Sequence, residues 1–163
     1  MIGRLPEDGS RLAAALPGHD AVISCLGRGA SLRADALIQR CVPAVLSAVQ
    51  AAEVRRLIFT SAIGVGAAYA DAPLFSRLVI RVLLRDLYAD KVIGEDLIVR
   101  SDLDWTIVQP AQLTNGPLSG SYRVGEQLRP SGIPTISRAD VAHFILNELH
   151  TPGYVRKFAR LAY

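Results

Sequence analysis

Residues 20–60 read DAVISCLGRGASLRADALIQRCVPAVLSAVQAAEVRRLIFT, and the order of patterns within this stretch decides the fold. Residues 20–26, DAVISCL, form a short apolar run with β-branched residues after a Pro17-Gly18 turn signal, which predicts a buried strand. From 33 to 53 the apolar residues Leu37, Ile38, Cys41, Val45, Ala48 and Val49 recur at three- and four-residue steps, the period of a helix with one buried face. Pro43 falls inside this helix, and a residue without an N–H predicts a kink or a restart there. Residues 56–60, RLIFT, are the next strand. Strand, helix and strand in succession make a βαβ unit, and such units build parallel sheets.

The same alternation continues to the end of the chain. Residues 61–73, SAIGVGAAYADAP, are a long aperiodic loop of small residues, of the kind that is usually functional or mobile. Two helices are predicted over 73–84 and 86–101. DWTIVQP, residues 104–110, is a strand ended by Pro110. Residues 120–136 are punctuated by Gly and Pro and predict one or two short strands. Ser137 and Asp140 have capping-box spacing, with Asp in place of Glu, before the helix ADVAHFILNELH. KFARLA, residues 157–162, suits a last strand. The fold class is therefore α/β, a Rossmann-type parallel sheet with helices on both faces, read as one domain over residues 1–163. Ligands of such sheets bind beyond the carboxyl ends of the strands. That places chemistry at Gly27, at Ser61 to Gly66 and at Gln109 to Asn115.

Bulk properties narrow the function. The 163 residues are 50% hydrophobic and 20% charged, which is a globular composition. The net charge of +3, with few aromatics and none interleaved with a basic run, gives no case for nucleic acid. No apolar run has the length of a membrane span, and the first residues lack an apolar signal core, so the expected location is cytoplasmic. Cys25 and Cys41 form neither a disulfide framework nor a zinc site and read as buried thiols. The histidines, His19, His143 and His150, make no metal set. Trp105 reads as core, and Arg77, Arg81 and Arg85 as a solvated helix stripe. The only lysines are Lys91 and Lys157, against sixteen arginines.

Gly27-Arg28-Gly29 follows a strand and precedes a helix, the context of a dinucleotide loop. Leu32 stands where the third glycine belongs, and no acidic residue ends the next strand. The segment reads either as a weak pyrophosphate loop or as a turn that needs small residues.

Four stretches in order, GHDAVISCLG, RRLIFTSAIGVG, YADKVIGEDLIVRSDLDWTIVQPAQLTNGPLSGSYRV and ISRADVAHFILNEL, resemble the successive motifs of the atypical short-chain dehydrogenases/reductases. The group is that of the NAD(P)H-binding proteins with the NmrA-like proteins and the biliverdin-IXβ/flavin reductases. In that family a first strand, a G-x-x-G-x-x-G loop, a helix and a second strand precede the part that resembles this chain. Met1-Ile2-Gly3 is similar to the end of the family's third strand, and Arg4 stands where an acidic residue is usual. The resemblance thus implies a domain lacking its first strands and Gly-rich loop, with an exposed edge on the DAVISCL strand that homo-oligomerisation would cover.

The resemblance also implies roles. Lys91 matches the family's active-site lysine, whose ammonium would bond the nicotinamide ribose. Read from spacing alone, it is a solvated lysine paired with Glu95 at i,i+4, worth about 0.3–0.5 kcal/mol. The family's tyrosine position is Leu87, and Tyr88 lies one residue on, rotated about 100° around the helix. It is either a displaced catalytic phenol or a helix-face tyrosine. Thr60 and Ser61 occupy the position of the active-site serine. Gln109-Pro110 stands for the family's Arg-Pro, with Ala111 next, and Gln112, Leu113 and Asn115 fall on the substrate side. The implied function is an NAD(P)H-dependent oxidoreductase reducing a flavin, tetrapyrrole or quinone-like acceptor. NADPH is favoured over NADH, and binding by this chain alone is expected to be weak. A non-catalytic NAD(P) sensor, a partner-binding regulator and an inactive fragment are the alternatives.

Overall fold

A computed structural model of the chain describes residues 5–27, 36–66, 84–128 and 133–163. Within them the elements are α1 (Gly9–Ala15), β1 (Ala21–Ser24), α2 (Leu37–Ala51), β2 (Arg56–Thr60), α3 (Arg85–Val99), β3 (Asp104–Pro110), β4 (Gln112–Thr114), β5 (Arg123–Gly125), β6 (Thr135–Ser137), α4 (Arg138–His150) and β7 (Lys157–Ala162). The expectations for Met1 to Arg4, for Arg28, Gly29 and Leu32, and for Arg77 and Arg81 lie outside the described residues. So does most of the helix expected over 73–84.

The main sheet has the order β1-β2-β3-β7-β5. β1, β2, β3 and β7 are parallel, as the alternation of elements requires. The expected all-parallel sheet is corrected at its far edge, where β5 runs antiparallel to β7. A second, two-stranded parallel sheet pairs β4 with β6. Among the described residues no strand lies on the outer edge of β1.

The period-2 alternation of the strands divides the core into two layers. Leu57 and Phe59 of β2 and Trp105 and Ile107 of β3 join Ile38, Val42, Val45 and Val49 of α2 on one face, with Ile98 of α3 beside them. Ile58, Val108, Ala159 and Leu161 point the other way, onto Val141, Phe144 and Ile145 of α4. Each fully buried side chain of this kind contributes about 1.5–3 kcal/mol. No described helix is long and apolar enough to cross a membrane.

Two local expectations change. α2 runs unbroken through Pro43. That residue sits on the exposed face, where the carbonyl it leaves unpaired is open to solvent, while Ile38, Cys41, Val42 and Val45 hold the other face in the core. Cys25 is exposed and only Cys41 is buried, because β1 ends at Ser24 and Cys25 already belongs to the loop. Ser137 caps α4 by accepting from the Asp140 N–H at 2.9 Å, as the box predicts. The Asp side chain does not complete the box. The Ser137 N–H instead donates to Tyr163 Oη at 3.1 Å.

α2 and α3 cross at Gly94. A Cβ there would overlap Ile38 Cγ2 and lie 3.3 Å from Val42 Cγ2. Alanine is the better helix former by about 1 kcal/mol, but overpacking a helix contact costs about 1–3 kcal/mol. Gly94→Ala is expected to lower the thermal midpoint by several degrees. An unchanged or raised midpoint would show that the two helices separate there without cost.

Candidate nicotinamide-side site at the carboxyl ends of β2 and β3

The loop after β2 continues the sheet. The Ser61 N–H donates to Val108 O at 2.7 Å and the Ile63 N–H to Pro110 O at 2.9 Å, so residues 61–63 stay fastened to the end of β3. The turn that follows uses Gly64 (φ +85°) and Gly66 (φ +56°), both in the left-handed region that favours glycine. From α3, Tyr88 Oη donates to Ile63 O at 3.1 Å and fastens the same loop from above. Burial pushes the Tyr88 phenol up from its ordinary pKa.

Below the loop lies a group of buried polar side chains. Glu95 of α3 is 4% exposed, Gln109 of β3 1% and Ser61 5%. Gln109 Nε2 donates to Glu95 Oε1 at 3.0 Å. Gly66 backs onto the same carboxylate: a Cβ on it would sit 3.4 Å from Glu95 Oε2. Burial raises the Glu95 pKa; Ser61, Gln109 and the Lys91 charge pull it back, and Asp96 adds to the rise. Ser61 bears on the carboxylate in this way, yet its Oγ meets no acceptor with hydrogen-bonding geometry.

Lys91 lies one turn before Glu95 and is half-buried. Burial lowers its pKa, opposed by the Glu95 and Asp90 carboxylates. The solvated i,i+4 pair suggested by spacing is therefore not what forms, since Glu95 is buried and turned toward Gln109. Its neighbour Asp90 faces α2. The Asp90 carboxylate accepts from the Ile38 N–H at 2.9 Å and from the Gln39 N–H at 2.9 Å. It so caps a helix whose own N-cap residue, Ala36, is in the left-handed region and makes no side-chain cap. An anion at that helix N-terminus would have to displace a carboxylate, which weakens the reading of the preceding loop as a pyrophosphate site.

The other expected positions distribute as follows. Thr60 ends β2, half-buried, with Oγ1 3.7 Å from Cys25 Sγ. Gly27 is exposed beyond β1. Pro110 and Ala111 are buried, the Ala111 N–H donating to Leu161 O at 2.8 Å. Gln112 and Leu113 are exposed on β4. Asn115 Oδ1 accepts from Arg138 Nη1 at 2.7 Å. The structure thus brings Ser61, Lys91, Tyr88 and Gln109 to one place, with Gln112, Leu113 and Asn115 on a separate, open surface.

That surface is held by a residue the sequence marked only as a cap. The buried Asp140 carboxylate accepts from the Ser119 N–H (3.0 Å), Ser119 Oγ (2.8 Å), the Gly120 N–H (2.8 Å), Ser137 Oγ (3.0 Å) and Tyr163 Oη (2.6 Å). Burial works to raise its pKa, but the bonds from Tyr163, Gly120, Ser119 and Ser137 outweigh it and hold the carboxyl well below the usual range. The loop after β4 is thereby tied to α4.

Ser61 Oγ and Gln109 Oε1 are both buried without a hydrogen-bond partner among the described residues. Buried polar atoms of native proteins are nearly always paired, so two orphans at the carboxyl ends of adjacent strands mark a place where a polar ligand completes the set. A donor and an acceptor are what a primary carboxamide requires, and the ammonium of Lys91 suits vicinal hydroxyls. The nicotinamide half of a dinucleotide therefore fits these residues. A groove of about 620 Å³ lined by Leu46, Val54, Arg55, Arg100 and Leu103 opens at the opposite, amino ends of β2 and β3. No group of described His, Cys, Asp or Glu residues is placed to hold a metal.

The family model described as NAD(P)H-binding matches residues 4–152. The oxidoreductase ylbE of Lactococcus lactis is similar at 26% identity with a TM-score of 0.73, covering 94% of this chain and 66% of that one. A short-chain dehydrogenase/reductase of Veillonella parvula in complex with NADP is similar at 18% identity and TM-score 0.77, over 96% of this chain and 69% of that one. The anaerobilin reductase ChuY of Escherichia coli O157:H7 is similar at 23% identity and TM-score 0.74, over 94% and 70%. No curated protein matches the chain significantly.

Proposed function

We propose, from the premise that this chain belongs to the NAD(P)H-binding family, that it forms the nicotinamide-binding side of an NAD(P)H-dependent reductase. The observation that carries the proposal is the orphaned pair Ser61 Oγ and Gln109 Oε1 beside Lys91 at the carboxyl ends of β2 and β3. A bound dihydronicotinamide supplies a hydride, the part of the chemistry that belongs to the cofactor. Gln109 Oε1 accepts from the carboxamide N–H, Ser61 Oγ faces the reacting end of the acceptor, and Lys91 holds the ribose hydroxyls. Thr60, Pro110 and Ala111 form the backbone floor, and Gly27 leaves room at the end of β1. Tyr88, whose hydroxyl is engaged by Ile63 O, serves by holding the loop that carries Ser61. Gln112, Leu113 and Asn115 face a small-molecule acceptor, and the exposed Leu113 suits a flat, largely apolar one such as a flavin, tetrapyrrole or quinone. NADPH is the favoured cofactor, in keeping with the NADP complex of the similar Veillonella protein. With the α2 N-terminus occupied by Asp90, the described residues offer the pyrophosphate little, and weak affinity is expected.

NADPH fluorescence should change on titration with the protein, and NADPH should be consumed steadily when a flavin or quinone acceptor is added. Unchanged fluorescence at saturating protein would defeat the proposal. The neutral Gln109 supports a second reading, a sensor that binds NADPH without turnover. Binding with no consumption across flavin, tetrapyrrole and quinone acceptors would favour it.

A further inference from the structure

Glu95 is a buried carboxyl at the centre of this site to which the binding of a nicotinamide assigns no task. We infer that Glu95 is the proton store of the reaction, delivering a proton to the acceptor through Ser61 Oγ. The inference rests on the reductase reading above and deepens it.

Four observations carry it. Glu95 is 4% exposed and lies beneath the loop 61–66. The neutral amide of Gln109 donates to its carboxylate at 3.0 Å. A guanidinium at that place would hold the group as a carboxylate, whereas an amide leaves it free to carry a proton. Ser61 Oγ, on the loop after β2, is buried without a partner of its own among the described residues and bears on the Glu95 carboxyl. Tyr88, one turn before Lys91 on α3, has its hydroxyl bonded to the backbone of Ile63.

The groups that face Glu95 set its titration. Among the described residues they are Lys91 and Asp96 on α3, Ser61 and Gly66 on the loop after β2, and Gln109 on β3. Burial raises the pKa most, and a general acid works best when its pKa is raised toward the working pH.

In the step itself, an acceptor that has taken a hydride from the dihydronicotinamide holds two more electrons and a negative charge. The Ser61 O–H bond breaks and its proton forms a bond to the charged atom. The Glu95 O–H bond breaks and its proton replaces the one Ser61 gave up. The acceptor leaves neutral and reduced by two electrons, the nicotinamide is oxidised, and Glu95 is left as a carboxylate. Solvent then returns one proton to it.

The experiment has a readout that needs no cofactor. Infrared difference spectra of the protein between about pH 5 and about pH 9 should show a protonated-carboxyl C=O band that titrates above the ordinary glutamate range and is absent in Glu95→Gln. In NADPH oxidation with a quinone acceptor, Glu95→Gln and Ser61→Ala should each lower the rate about 10²-fold or more. Glu95→Gln should also lose the fall in rate that the wild type shows as pH rises through the Glu95 pKa. Ser61→Ala should keep the infrared band, which separates a broken relay from a lost fold. A band at the ordinary glutamate pKa, or a Glu95→Gln variant with the wild-type rate and pH profile, overturns the relay alone. A wild-type protein that binds no NADPH overturns the reductase reading and the relay with it.

Discussion

Lys91→Ala is expected to weaken NADPH binding about 10- to 100-fold, the worth of one charge-assisted hydrogen bond at about 1.5–3 kcal/mol. The effect is large because the desolvation of Lys91 is already part of the folded state. Burial lowers its pKa, with Glu95 and Asp90 opposing. A ligand hydroxyl that accepts from the ammonium therefore recovers free energy that the unliganded protein lacks, and removing the amine forfeits it. The pH dependence has a defined sign. Only the ammonium donates to both ribose hydroxyls. Affinity should be highest below the lowered pKa of Lys91 and fall as pH rises through it, at a lower pH than an ordinary lysine would show. Lys91→Ala should abolish that fall as well as weaken binding. Fluorescence titration of both proteins over a pH series measures both effects, and equal affinities would remove Lys91 from the site.

The second large effect is on stability, at the opposite end of the sheet. Glu148 of α4 and Arg56 of β2 form an ion pair at 3.0 Å, with side chains 3% and 12% exposed. The carboxylate also accepts from the Tyr154 N–H at 2.8 Å and the Gly153 N–H at 3.0 Å. Arg56 donates further to Asp104 O at 2.7 Å and Thr106 Oγ1 at 2.8 Å. The network fastens the end of α4 to the starts of β2 and β3. Glu148→Ala strands a buried guanidinium and two N–H groups, and should cost about 3–5 kcal/mol. For a chain of this size that lowers the thermal midpoint by about 10 °C. The double variant Arg56→Met/Glu148→Leu removes both charges and should lose less than Glu148→Ala alone. Urea denaturation of the two variants decides. A single-variant loss under about 1 kcal/mol would mean that water replaces the carboxylate.

Comparison of particular elements shows how far the sequence could be read. RLIFT, DWTIVQP and KFARLA occupy β2, β3 and β7 at the expected bounds, because a buried strand between turn residues leaves a strong local pattern. The helix over 139–150 was legible through its Ser137 cap. α1 was not, since GSRLAAA is short and Asp8 makes no side-chain cap. β4 was not, since three residues carry no periodicity. The site was legible as a set of positions after strands. Its wiring was not. Glu95 and Gln109 are fourteen residues apart on different elements, and Asp90 and Ile38 are separated by fifty-two. No spacing rule relates a helix face to the next strand.

The sequence by itself determined the order of β1, α2, β2, α3, β3, α4 and β7, the parallel sense of β1, β2 and β3, and the two faces on which helices pack. Those follow from periods of two and 3.6 residues, which each segment carries internally. Only the tertiary structure decided that Lys91 is half-buried, that Glu95 turns to Gln109, that Asp90 caps α2, and that Asp140 holds the loop after β4. Each depends on which groups packing brings within hydrogen-bonding reach and which it removes from water. Desolvation and through-space partners are properties of the assembled fold.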